Sequence, residues 1–395
     1  MNVRACIAVI LLISAIGCNS FTPYQAGGDK PEDAGSPSDA TFTARDYNNA
    51  GTKFYVSGQY KQALEYFTRA LDLDPEFALA YNNRGALYAN IFEEYEKAFD
   101  DFSKAIESDP DYAKAYHGRG GMYSNFGKYQ QAIDDFSRAI EIDSRYAEAY
   151  NSRGVVFYDL DRYKEAFDDY TQAIELEPDF SEAYNNRGII NEKLEKWQDA
   201  VNDYTKALKL NPSYAEVYNN RGLLYSSLGK FQEAVRDYNQ AIQLDSAYAD
   251  PYGNCSIALY ELGKYQEALE YCTRAIDLDS TNSGYYNSRG HIYAQLGRLQ
   301  EALNDFSRAI ELNEVYLEAY KNRGAIYYNL KRYQEALIDY NKIIDIAPED
   351  SENYRNRSDI LQKLSTQTVD RNLKDEYQKR SQMDLEKTAS LKKRQ

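Results

Sequence analysis

Histidine occurs only twice in these 395 residues and cysteine four times, and no glycine-rich loop with phosphate-cradling spacing is present. Catalytic nucleophile–base pairs and metal sites are assembled from such residues, so their scarcity leaves little from which to build an active site. His117 and His291 stand far apart in the chain and without company. The reading is therefore of a protein that is no enzyme and carries neither cofactor nor metal. Positive charge is short as well: 46 Lys and Arg against 62 Asp and Glu give a net charge of −16, with a pI near 4.8. That balance argues against a surface for nucleic-acid phosphates. It serves solubility first and basic partners second. Long apolar runs are missing everywhere except at the start.

There, Arg4 gives a positive beginning, Ala5 to Ile16 is an apolar run, and Cys18 follows Gly17. A run of about a dozen residues is too short for a resident bilayer-spanning helix and fits a secretory signal over 1–17. Ala15-Ile16-Gly17-Cys18 resembles a bacterial lipoprotein signal, in which Cys18 becomes the lipidated first residue; Ala15 stands where that pattern usually has Leu. Ordinary signal cleavage at the same bond would leave Cys18 a plain thiol. Residues 18–43 are rich in Gly, Pro, Ser, Asp and Thr, too polar to offset ordering entropy, and read as a flexible tether. The expected location is the cell envelope, on a bacterial membrane reached through the lipid, with the outer membrane or the periplasmic face favoured.

What fills the rest of the chain is repetition. A 34-residue unit recurs nine times, over 44–77, 78–112, 113–146, 147–180, 181–214, 215–248, 249–282, 283–316 and 317–350, with a single one-residue insertion in the second copy. A period of this size implies stacked supersecondary units with one continuous core. Each copy carries two amphipathic helices, A and B: Tyr218, Gly222 and Tyr225 share one face, and Ala234, Tyr238 and Ala241 another. Gly229 is placed to end helix A in a left-handed cap. Most of the 39 tyrosines recur at fixed core positions of this unit.

The pattern resembles the tetratricopeptide repeat. Glycine at 51, 85, 120, 154, 188, 222, 290 and 324 fills that family's small helix-A position, with Ser256 the one substitute, and alanine from Ala63 to Ala336 fills the helix-B position in all nine copies. The resemblance implies an all-α, right-handed superhelical solenoid whose A helices line a concave groove for extended peptides or partner proteins. After Asp350 a tenth helix A begins with Tyr354 and Arg357 in register, and 351–395 reads as a C-terminal cap with a polar tail.

Internal comparison of the copies adds a contact signal. Seven carry Arg before the helix-A glycine and Asp in helix B: Arg84 with Asp101, Arg119 with Asp135, Arg153 with Asp169, Arg187 with Asp203, Arg221 with Asp237, Arg289 with Asp305, and Arg323 with Asp339. The first and seventh copies lose both together, which predicts a structural ion pair inside each of the seven repeats. In the seventh copy Cys255 stands where the Arg would be, and Cys272 lies one residue beyond the place of the Asp. An exported protein sees oxidising conditions, so a disulfide between them is one expectation and two buried thiols the other.

The groove implied by the resemblance would carry asparagine. Asn48, Asn49, Asn82, Asn83, Asn185, Asn186, Asn219 and Asn220 form pairs, and Asn151, Asn254, Asn287 and Asn322 continue the row. A carboxamide offers a donor and an acceptor, so such a row could grip a peptide backbone. Val155, Ile189, Leu223 and Ile257 add an apolar strip. The function expected is a membrane-tethered interaction scaffold that assists assembly of an envelope complex. A receptor for carbohydrate or peptidoglycan is the alternative.

Overall fold

A computed structural model describes residues 42–392. The signal segment, Cys18 and nearly all of the tether lie outside the described residues. The chain divides into two compact units, one ending at Leu210 and one beginning at Asn211. Both are all-α stacks of helical hairpins.

The first unit pairs α1 (Ala44–Val56) with α2 (Tyr60–Leu73), α3 (Ala78–Leu87) with α4 (Tyr95–Ser108), α5 (Ala113–Asn125) with α6 (Tyr129–Ile142), α7 (Ala147–Asp159) with α8 (Tyr163–Leu176), and α9 (Ser181–Lys193) with α10 (Trp197–Leu210). The second pairs α11 (Ala215–Ser227) with α12 (Phe231–Leu244), α13 (Ala249–Glu261) with α14 (Tyr265–Leu278), α15 (Ser283–Gln295) with α16 (Leu299–Leu312), and α17 (Leu317–Asn329) with α18 (Tyr333–Ile346). It closes with the longer α19 (Ser351–Gln367) and α20 (Arg371–Lys392), which pack as a tenth hairpin.

Local chemistry explains why each hairpin folds as it does. A methyl group on Gly222 would lie 2.6 Å from the ring of Tyr238, so only glycine lets that buried aromatic slide under helix A. The A-to-B turn needs one left-handed residue, supplied by Gly229 at φ 72°. Four turns place Glu93, Asp161, Glu195 and Lys331 there instead, at φ 55° to 59°, a conformation that costs a side-chain-bearing residue about 1 kcal/mol. In seven repeats helix B ends where an Asp or Asn folds its side chain onto the backbone two residues on, as Asp74 Oδ1 accepting from Glu76 N at 3.1 Å and Asp279 Oδ1 from Thr281 N at 2.9 Å. This Asx turn competes with further helix. The extra residue of the second repeat is absorbed as one π-helical turn, Tyr88–Phe92, closed by Glu94 N donating to Tyr88 O at 3.0 Å. Wider turns of this kind take up single insertions without breaking the helix.

Within each unit every A helix touches the next A helix, as α5 touches α7 and α13 touches α15, whereas consecutive B helices make no contact of comparable extent. The A helices therefore form the crowded layer.

Candidate partner-binding surface

The seven arginines named above each meet their aspartate inside one hairpin. Arg84 donates from Nε to Asp101 Oδ2 at 2.7 Å and from Nη2 to Asp101 Oδ1 at 2.8 Å, and Arg221 holds Asp237 with the same two-pronged geometry. The carboxylates are buried and the guanidiniums about one-fifth exposed. The third arginine nitrogen reaches back to the preceding helix B, as Arg153 Nη1 to Ser137 Oγ at 2.9 Å and Arg323 Nη1 to Ser307 Oγ at 3.0 Å. Arg84, Arg153, Arg187 and Arg323 thus each stitch three helices. An eighth clasp joins Arg357 to Asp384 at 2.7 and 2.9 Å. Its partners lie 27 residues apart rather than 16 or 17, because α19 is longer than the other A helices, and the sequence period did not point to it.

The seventh repeat departs from the disulfide expectation. Cys255 and Cys272 are both buried and free. Cys272 stands where other repeats place the large ring that meets the helix-A glycine, and its Sγ is directed to the carbonyl of Tyr285 at 3.2 Å rather than to the other thiol. Burial pushes both thiols up to about 12, so neither is poised as a thiolate. The lost clasp is replaced by Tyr271, whose hydroxyl donates to Asn239 Oδ1 on the preceding helix B at 2.7 Å.

The asparagine row has a structural role that the sequence reading did not assign to it. Asn83 Nδ2 donates to Asn48 Oδ1, Asn186 to Asn151, Asn254 to Asn219 and Asn322 to Asn287, each at 3.0 Å. Every one of these bonds spans 35 residues, from one A helix to the next. Asn48, Asn82, Asn83, Asn185, Asn186 and Asn219 are buried; Asn151, Asn220, Asn254, Asn287 and Asn322 are half-buried, and Asn49 alone is exposed. The bonded carboxamides serve as rungs between stacked helices, each spending one donor or one acceptor on the neighbouring helix. A lone sequence cannot separate a groove ladder from an inter-helix ladder, since both need amides at one spacing.

The two histidines belong to the same architecture. His117 occupies the first-asparagine position of its repeat and Ser152 the second position of the next; His117 Nε2 meets Ser152 Oγ at 2.9 Å, and Nδ1 meets Tyr146 Oη at 3.1 Å. The contact looks like a nucleophile and base, but His117 is 5 % and Ser152 8 % exposed. Burial drives His117 down to about 3, too far for general-base work near neutrality. It is one more rung. His291 likewise meets Asn322 Nδ2 at 2.8 Å. Among the described residues no cluster of His, Cys, Asp or Glu is placed to hold a metal.

Of the apolar strip, Val155 is buried, Ile189 and Leu223 are half-buried, and Ile257 is 40 % exposed. In the second unit, Tyr260 of α13 is also half-buried.

Stacked hairpins with a glycine under each aromatic ring match models of one family along the chain. Models described as "Tetratricopeptide repeat" match residues 147–180 and 215–248, 249–282, 287–351, and 102–134 and 169–202; one described as "TPR repeat" matches 51–91, 126–161 and 193–229. The chain belongs to the tetratricopeptide repeat family. Tetratricopeptide repeat proteins are protein-interaction scaffolds, and the repeat is typically non-catalytic. No curated protein matches the chain. Among solved structures it is similar to Pseudomonas aeruginosa pilF, at 23 % identity and a TM-score of 0.49 over 53 % of this chain and 94 % of that one. It is also similar to a tetratricopeptide repeat protein from Parabacteroides merdae, at 18 % identity and a TM-score of 0.49 over 68 % and 98 %. A third likeness is to YrrB, titled a TPR protein with an unusual peptide-binding site, at 25 % identity and a TM-score of 0.38 over 47 % and 95 %.

Proposed function

We propose that this protein is an exported scaffold, anchored to a bacterial membrane by a lipid on Cys18, that holds an extended peptide or a partner protein along its A-helix layer and assists assembly of an envelope complex. The observation that carries the binding surface is Ile257, an isoleucine left 40 % exposed in the middle of an A helix. Leu223 and Tyr260 are also half-open on the A helices of this unit. Exposed apolar side chains on one face of a helix are candidates for anchoring a partner. The anchoring part of the proposal is supported by the apolar run Ala5 to Ile16 followed by Cys18.

Each part has its own test. A photo-crosslinking amino acid at position 257 should give partner adducts, whereas the same group at Ile338, 65 % exposed on helix B of the same unit, should not. Equal adducts at both places would contradict the A-helix surface. Cys18→Ala should move the chain from the membrane fraction to the soluble one. Retention in the membrane fraction would contradict the lipid anchor.

A further inference from the structure

The first and seventh repeats lose the arginine–aspartate clasp in the same way: Ala50 and Cys255 replace the arginine, and Tyr66 and Tyr271 replace the aspartate. Inside the stack the exchange is completed by the neighbouring hairpin. Tyr271 lies against Tyr252 with ring centroids 6.1 Å apart, and its hydroxyl donates to Asn239 on the preceding helix B at 2.7 Å. Tyr66 lies against Tyr47 in the same relation, at 5.7 Å. Among the described residues, however, no helix precedes α1, and the Tyr66 hydroxyl meets no hydrogen-bond partner there.

The outer face of the first hairpin is aromatic as a result. Phe54 packs on Tyr66 at 4.8 Å and Phe42 meets Tyr47 edge-on at 5.2 Å, which joins the rings into one array. Phe42, Phe54 and Tyr66 are half-buried. In the third repeat the ring at the position of Phe54 is Tyr123, and Phe99 of the preceding helix B covers it at 5.1 Å. Terminal repeats of a solenoid ordinarily turn a polar face outward. Here the place of a preceding helix B is lined by rings and by the Tyr66 hydroxyl.

We propose that the segment Phe21-Thr22-Pro23-Tyr24 of this same chain docks on that array, in the place of a preceding helix B. Chemistry and reach select this segment, which lies outside the described residues. Between Cys18 and Phe42, Phe21 and Tyr24 are the only aromatic residues, and no Val, Leu, Ile or Met is present. Two rings supply apolar area and edge-to-face contacts for Phe42, Phe54 and Tyr66. Thr22 or a backbone carbonyl supplies the acceptor that the Tyr66 hydroxyl lacks. A chain of the length and composition of residues 25–41 spans about 23 Å as a coil, close to the length of α1, and it joins the array at Phe42 itself. An attached segment acts at about millimolar effective concentration, which favours it over a second copy or a separate partner. Docking does not depend on lipid. With Cys18 acylated, as proposed above, it would hold the stack by its first hairpin, three residues from the anchor.

The test uses the chain from residue 18 on, as signal removal leaves it, with Cys18→Ser so that no lipid contributes. A benzophenone amino acid in place of Tyr24 should crosslink within one molecule, on the peptides holding Phe42, Phe54 and Tyr66, with a yield independent of protein concentration. Adducts joining two molecules would overturn the proposal in favour of a second copy. Adducts scattered over the chain, or none, would overturn it outright. The double variant Phe21→Ser, Tyr24→Ser should speed amide hydrogen exchange of α1 and α2 about tenfold and leave α5 and α6 unchanged. Unaltered exchange in α1 and α2, or equal acceleration by the control Ser20→Ala with Gln25→Ala, would overturn the proposal. Membrane fractionation of Cys18→Ala reads the lipid anchor separately, so either reading can fail while the other stands.

Discussion

Asp203 carries three polar bonds at once: two from Arg187, at 2.8 and 3.0 Å, and one from Asn191 at 2.9 Å. Removing one partner of such a buried pair leaves a charge without compensation, which costs about 3 kcal/mol or more. Arg187→Ala and Asp203→Ala should each lower the urea midpoint strongly, and the double variant should lose far less than their sum. Additive losses would contradict the clasp. Two groups give opposite pH dependence. His117 is held near 3, below its usual value, by burial and then by the nearby Lys114; it is bound neutral, so its stabilising share is complete above pH ~6.5 and declines by about 1.4 kcal/mol per unit as pH falls from there towards 3. His117→Asn should flatten that acid limb in urea melts at pH 4 to 7. Glu192 is held near 7, above the usual carboxyl value, by burial; its share is complete below pH ~4.5 and is lost as pH rises from there through 7. Glu192→Gln should therefore stabilise the chain at pH 8, by about 2 kcal/mol, and change little at pH 4.

At the scale of the helix, the turns differ more than the helices do. Five described turns use glycine at the left-handed residue and four use Glu93, Asp161, Glu195 or Lys331. Glu195→Gly and Lys331→Gly should each raise stability slightly, by about 0.5 kcal/mol, because the strain relieved at φ 57° or 59° outweighs the entropy glycine adds to the unfolded chain. A fall in melting temperature would show that their side chains hold the turn in another way. The hairpins and seven clasps were legible in the sequence because the same spacing is written nine times, so a lost pair stands out against the seven copies that keep it. The eighth clasp was not legible, since Asp384 sits on a helix of different length. Nor was the repair of the seventh repeat: nothing local says that Tyr271 will reach back to Asn239, or that Tyr285 of the next hairpin will lie against Gly253. Both depend on which helix stacks on which, and that is set by the whole repeat rather than by a motif.

For the whole molecule, the asparagine rungs tie neighbouring A helices together inside each unit: the amides at 48 and 151 in the first unit, and at 219 and 287 in the second, accept from the next A helix. Tyr158 and Ile189 of the first unit, and Leu223 and Ile257 of the second, stay partly open. Among the described residues, glycine interrupts the row at two joints. Gly118 faces Asn82 across one joint, and Gly253 faces Ser288 across another, because Phe102 and Tyr285 fill the space a side chain would need. The measurement that tests the account most directly is a thermal and urea melt of the chain carrying Asn151→Ala, Asn186→Ala, Asn219→Ala and Asn254→Ala together. Two rungs are lost, one in each unit, and the account predicts a fall of about 1 kcal/mol or more for each, with the melt lowered and broadened. A variant that melts like the parent but no longer captures its partner would contradict the account, returning the asparagines from the joints to the groove.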